Sequence, residues 1–150
     1  MKKKTQIMIP QNTGMGFAKP FGMRKKILIV DDDEGIRDIF RIIFEKAGYA
    51  FEIKSSAKDL LENHFSFPDL ILLDKQISGI DGLQICRHLK SQNETKDIPV
   101  IIVSATPDIG IMAKKAGAND YIEKPFMITH LLETIERNLN KTRRISRKKV

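Results

Sequence analysis

Three short apolar runs recur along the chain: KILIV at 26–30, DLILL at 69–73 and PVIIVSA at 99–105. Each is continuous rather than alternating and rich in branched residues, the pattern of strands buried on both faces of a parallel sheet. YAFEI (49–53) and DYIE (120–123) are weaker runs and predict strands nearer the sheet edges. Between the strands the period lengthens. Ile36, Ile39, Phe40, Ile43, Phe44 and Ala47 follow helical spacing, and Gly48 supplies the stop. Ser55 or Ser56 is placed to cap a helix in AKDLLENHF, and Asp81 to cap one in GLQICRHLKSQ. A short helix is expected at 108–116. The last helix, ITHLLETIERNL, carries Ile128, Leu131, Leu132, Ile135 and Leu139 on one face.

The order is therefore βαβαβαβαβα. Repeated βα units with doubly buried strands predict a doubly wound five-stranded parallel sheet, with right-handed crossovers and helices on both faces. Ligands of such sheets bind beyond the carboxyl ends of the strands, where strand order reverses. Chemistry is to be sought there.

Length and charge narrow this picture. The 150 residues suit one domain, expected at 25–140. No apolar run reaches the eighteen or so residues of a membrane helix, and no signal-peptide core follows the N-terminal lysines, which predicts a cytoplasmic protein with no membrane partner. The net charge of +7 is uneven. Residues 1–26 hold seven basic and no acidic side chains, and residues 141–150 hold six basic and none acidic. The middle is acidic. Residues 1–24 are expected to form a basic, disordered extension, or to reflect a true start at Met23, and 141–150 a basic tail. The single cysteine, Cys86, lies in the apolar phase of a helix and reads as core.

The residues ending the predicted strands are polar and reactive. The first strand runs into Asp31, Asp32, Asp33 and Glu34, the third into Asp74, the fourth into Ser104, Ala105 and Thr106, and the fifth into Lys124 and Pro125. Two like charges at 4 Å repel by about 4 kcal/mol at the dielectric of a protein surface. A hard divalent cation relieves such repulsion, and Mg²⁺ accepts one or two carboxylates together with a substrate phosphate. A nearby lysine and hydroxyl add donors for phosphoryl oxygens. This set suits phosphoryl transfer with one carboxylate as nucleophile. Asp33 and Glu34 read as helix-entry carboxylates, and His64, His88 and His130 as non-catalytic.

ILIVDDDE, LILLDKQISGIDG, PVIIVSA and GANDYIEKPF, in that order and spacing, resemble the receiver domain of bacterial two-component response regulators over residues 25–140. The resemblance implies a flavodoxin-like sheet in the order 2-1-3-4-5. It implies Asp74 as phospho-acceptor, and Asp31 and Asp32, with Asp74 and the backbone carbonyl of Gln76, as ligands of Mg²⁺ or Mn²⁺. Ser104 and Lys124 would bind the phosphoryl oxygens, and Tyr121 would be the aromatic switch. Gln76 and Thr106 stand where the family tunes phosphoryl loss, and a cis Lys124–Pro125 bond is expected. The chain departs from the pattern at Ile77 and Ser78, where Met-Pro is common, at Lys75, and in a fourth helix shortened by two residues.

The function implied is a single-domain response regulator. It would accept a phosphoryl group from a sensor histidine kinase or histidine phosphotransfer protein and signal through a downstream protein effector, with no dedicated DNA-binding domain. It would be a switch rather than an enzyme, catalysing only its own phosphorylation and dephosphorylation. Two alternatives stand beside it. The Asp31-x-Asp33 pair also suits an aspartate-nucleophile phosphatase of the haloacid dehalogenase type, and a pseudo-receiver would bind partners without phosphorylation.

Overall fold

The computed structural model describes residues 24–149, so the expected basic extension, Arg24 apart, lies outside the described residues. Strand β1 (Lys26–Val30) leads into helix α1 (Glu34–Ala47), followed by β2 (Ala50–Lys54), α2 (Ala57–Leu61) and β3 (Leu70–Asp74). Two short strands, β4 (Gln76–Ile77) and β5 (Ile80–Asp81), precede α3 (Gly82–Lys90). The chain continues through β6 (Val100–Ser104), α4 (Ile109–Lys115), β7 (Asp120–Glu123) and α5 (Ile128–Lys149).

The five long strands form one parallel sheet in the order β2-β1-β3-β6-β7. With the β4–β5 hairpin set aside, this is the expected 2-1-3-4-5 arrangement. Winding reverses between β1 and β3, so the binding crevice opens at the carboxyl ends of those two strands.

Successive strand residues feed opposite faces. Ile27, Ile29, Leu70, Leu72, Ile101 and Val103 pack with Phe40, Ile43 and Phe44 of α1 and Leu131, Ile135 and Leu139 of α5. Leu28, Val30, Ile71, Leu73, Val100 and Ile102 pack with residues of α2, α3 and α4, including Leu60, Cys86 and Ile109. Because each central strand is covered on both sides, it tolerates no polar residue until its carboxyl end. Burial also pushes the Cys86 thiol up to about 11, which keeps it an inert core group.

Helix starts follow the capping chemistry of the sequence. Asp33 accepts from the Ile36 amide at 3.0 Å, Ser56 from Lys58 at 3.1 Å, and Asp81 from Leu83 at 2.9 Å. Gly48 ends α1 with φ 84°, the left-handed cap that glycine adopts without a Cβ penalty.

The structure departs from the expected pattern in four places. Helix α2 stops at Leu61 rather than running on to Phe65, since Asn63 takes a left-handed φ of 56°. The backbone of α5 continues to Lys149, where a tail was expected from 141, and no glycine or proline interrupts it. Ile39 and Ile128 fit the helical core pattern yet are exposed, and they line an apolar hollow of about 450 Å³ with Ile36, Ile43, Pro125 and Phe126. The β4–β5 hairpin was not anticipated. Its two central residues, Ser78 and Gly79, have φ 49° and 83°, the doubly positive signature of a type I′ turn.

Candidate functional site

Backbone pairing sets the acceptor aspartate. Asp74 is the last residue of β3, in register with Val103 of β6, and its side chain is 10% exposed. Directly after it the chain must turn, and Gly82 makes that possible. A Cβ at Gly82 would strike the carbonyl oxygen of Asp74 and lie 3.0 Å from the Lys75 Cα. Ile77 is fully buried and anchors the hairpin beside the site.

Lys124 reaches across from the end of β7. Its amide donates to the Ser104 carbonyl at 2.9 Å, and the Lys124–Pro125 peptide is cis. The Lys124 ammonium donates to Asp74 Oδ1 at 2.6 Å and lies 3.8 Å from Asp31 Oδ2. One cation thus faces two carboxylates from the two strands that flank the crevice.

Asp31 directly follows β1 and is almost fully buried. Its Oδ1 accepts from the Asp33 amide at 2.9 Å, whereas Oδ2 has no hydrogen-bond partner. Burial raises its pKa above the ordinary carboxyl value; the Asp33 amide opposes this, the Asp74 charge adds to it and Lys124 opposes it. Asp32 is exposed and accepts from the Ser78 amide at 2.6 Å and from the Ser78 hydroxyl at 3.3 Å. Asp31, Asp32 and Asp74 each offer one oxygen within 4.8 Å of the others.

An oxygen-only donor set with an orphaned buried carboxylate oxygen fits a hard divalent cation. The ligand role of the Gln76 carbonyl remains as the resemblance implied it, and the Gln76 amide donates to Asp74 Oδ2 at 3.1 Å.

A cavity of about 380 Å³ opens on this cluster, lined by Asp74, Lys75, Gln76, Ser104, Ala105, Thr106 and Lys124. Ser104 is buried, and its hydroxyl oxygen accepts from the Thr106 amide at 2.9 Å, which leaves its proton free to donate. Six of the predicted site residues besides Asp31 and Asp32 thus carry different fates: Asp74, Gln76, Ser104, Thr106 and Lys124 line the cavity, and Tyr121 does not. Tyr121 is 41% exposed as a residue, and its ring lies over Gly110 of α4. Sequence reasoning gave Ser78 no role toward Asp32, because a partner 46 residues away leaves no local spacing to read.

Comparison with known proteins matches residues 27–136 to the response regulator receiver domain. The DNA-binding dual master transcriptional regulator RpaA of Synechocystis is 34% identical over 125 residues, covering 80% of this chain and 51% of RpaA. The chain spans about half the length of the curated relatives it matches. A putative response regulator from Chloroflexus aurantiacus superposes with a TM-score of 0.73 at 31% identity, covering 78% of this chain and 98% of that one. The receiver domain of the Pseudomonas aeruginosa sensor histidine kinase PA1611 shares the fold at 23% identity and a TM-score of 0.71, covering 78% of this chain and 98% of that one. That protein holds a magnesium ion in its active-site cleft.

Receivers of this family are signalling switches of two-component systems, phosphorylated on an aspartate. The matched segment takes in every element from β1 into α5, and the chain therefore belongs to the response regulator receiver domain family.

Proposed function

We propose that this receiver accepts a phosphoryl group on Asp74 from a phosphohistidine of a sensor kinase or phosphotransfer protein. The observation that carries the reading is the 2.6 Å contact between Lys124 Nζ and Asp74 Oδ1, inside a cavity that also presents Ser104. An Asp74 oxygen forms the new O–P bond as the P–N bond of the donor breaks, and the electron pair stays on the imidazole nitrogen. Lys124 then exchanges its carboxylate partner for a phosphoryl oxygen, and the Ser104 hydroxyl donates to another.

Asp31, Asp32, Asp74 and the Gln76 carbonyl would hold a Mg²⁺ ion, which supplies charge neutralisation for the transferring group. Phosphorylation adds about −1.5 to −2 charge at pH 7. Drawing Lys124 and Ser104 toward that charge biases the positions of Tyr121 and α4, and a protein partner reads the change. Converting a 1% active population to 99% takes about 5.5 kcal/mol of preference for the active state, an order that several charge-assisted hydrogen bonds supply.

Borohydride reduction of the acyl phosphate, after incubation with a small phosphodonor and Mg²⁺, converts the modified aspartate to homoserine. Peptide mass spectrometry is expected to find homoserine at position 74. Homoserine at 31 or 32, or none at any position, contradicts the assignment.

A further inference from the structure

Helix α4 is only seven residues long, yet its second residue is Gly110, among the poorest helix formers. The neighbouring strand explains its presence. A Cβ at position 110 would lie 2.9 Å from both Cε1 and Cζ of Tyr121 and 3.3 Å from its hydroxyl oxygen. Real Cβ atoms essentially never approach heavy atoms that closely. The outward ring of Tyr121 therefore occupies the volume that any other residue would fill.

The inward alternative is set by the sheet. Tyr121 pairs with Ile102, and Ser104 with Glu123, so Tyr121 and Ser104 share one face of β6–β7, offset by two residues. Ser104 lines the phosphoryl cavity and Tyr121 does not. The ring is the far end of a flexible side chain with 41% of the residue exposed, so it yields sooner than helix or strand backbone.

We infer that Gly110 is a positioning residue for the switch: its missing side chain forms the seat that holds Tyr121 outward in the unphosphorylated protein. This rests on the phosphorylation reading and on the switch role of Tyr121. Filling the seat displaces the ring toward Ser104 without phosphorylation. If the cavity-side state is populated at about a tenth in the wild type, making it dominant raises apparent competence by about tenfold.

The test is Gly110→Ala, a variant whose new residue favours helix, so loss of fold is not the concern. Nuclear Overhauser contacts between the Tyr121 ring and residue 110 are compared in both proteins, with and without beryllofluoride and Mg²⁺. Initial rates of phosphorylation by acetyl phosphate are measured alongside, and again in a Tyr121→Ala background.

In Gly110→Ala the ring is expected to leave α4 without beryllofluoride, the rate to rise about fivefold to tenfold, and the rise to vanish when Tyr121 is alanine. A ring that stays on α4, an unchanged rate, or a rate gain that persists without Tyr121 overturns the inference. A wild type that takes no phosphoryl group at all refutes the underlying reading instead, and the two failures are thereby told apart.

Discussion

Lys124 Nζ sits 2.6 Å from Asp74 Oδ1 and 3.8 Å from Asp31 Oδ2, so one ammonium ion neutralises the carboxyl ends of two adjacent strands. The residues involved are separated by 50 positions between Asp74 and Lys124, and only the winding of the sheet brings them together. Removing the cation leaves two carboxylates facing each other across the crevice. Lys124→Met is expected to destabilise the metal-free protein at pH 7 by about 1–3 kcal/mol. Urea unfolding with and without Mg²⁺ checks this, since the ion is expected to recover much of the loss by taking over the cation's place.

Asp31 gives the pH dependence its sign. Its folded pKa is raised above the ordinary value, so between the two values the folded state binds more protons than the unfolded one. Its ionisation therefore costs stability as pH rises through that window. Asp31→Asn is expected to raise stability in metal-free buffer at neutral pH, since the variant buries no charge there. Below the window, where Asp31 is protonated in both states, the gain should disappear. Thermal unfolding of both proteins across pH in chelator measures it, and an Asn variant less stable than wild type at neutral pH contradicts the account.

Gly82 is required by a close approach rather than by flexibility. A methyl group there meets the backbone of Asp74 and Lys75, which yields less readily than the end of a flexible side chain. Gly82→Ala is expected to cost about 1–3 kcal/mol, as overpacking commonly does. It should also slow phosphorylation, because the displaced atoms belong to the acceptor. Denaturant unfolding and the phosphorylation rate should fall together, and a variant of wild-type stability would show that the turn can open.

Much of this arrangement was legible in the chain. DYIE marked β7 to the residue although only Ile122 of that edge strand is buried, and KILIV marked β1 to the residue, because a strand buried on both faces announces its length in apolar side chains and ends where a polar one begins. The same rule located Asp31, Asp74 and Ser104 at the strand tops. What stayed hidden depends on tertiary distance or on single torsions. The β4–β5 strands are two residues each and carry no periodicity. The early end of α2 turns on one positive φ at Asn63. The sequence singled out no role for Lys90, whose ammonium donates to the carbonyls of Lys96 and Ile98 and to Asn119 Oδ1, fastening α3 to the starts of β6 and β7. The outward Tyr121 ring needed both its own strand and the empty position at Gly110.

The exposed partner of the acidic pair is held from the hairpin tip. Asp32 Oδ2 takes both donors of Ser78, leaving its other oxygen for a cation. The Ser78 amide is therefore expected to resist hydrogen exchange more than the neighbouring Gly79 amide, and to lose that protection in Asp32→Ala. Amide exchange on labelled protein reads both, and equal, rapid exchange at 78 and 79 in the wild type would remove Ser78 from the site.

The central claim is that Asp74 is the group that takes the phosphoryl. Intact mass after incubation with acetyl phosphate, with and without Mg²⁺, on wild type and Asp74→Asn tests it most directly. The account predicts one hydroxylamine-labile phosphoryl adduct, on wild type only and only with Mg²⁺. An adduct of equal yield on folded Asp74→Asn would contradict it.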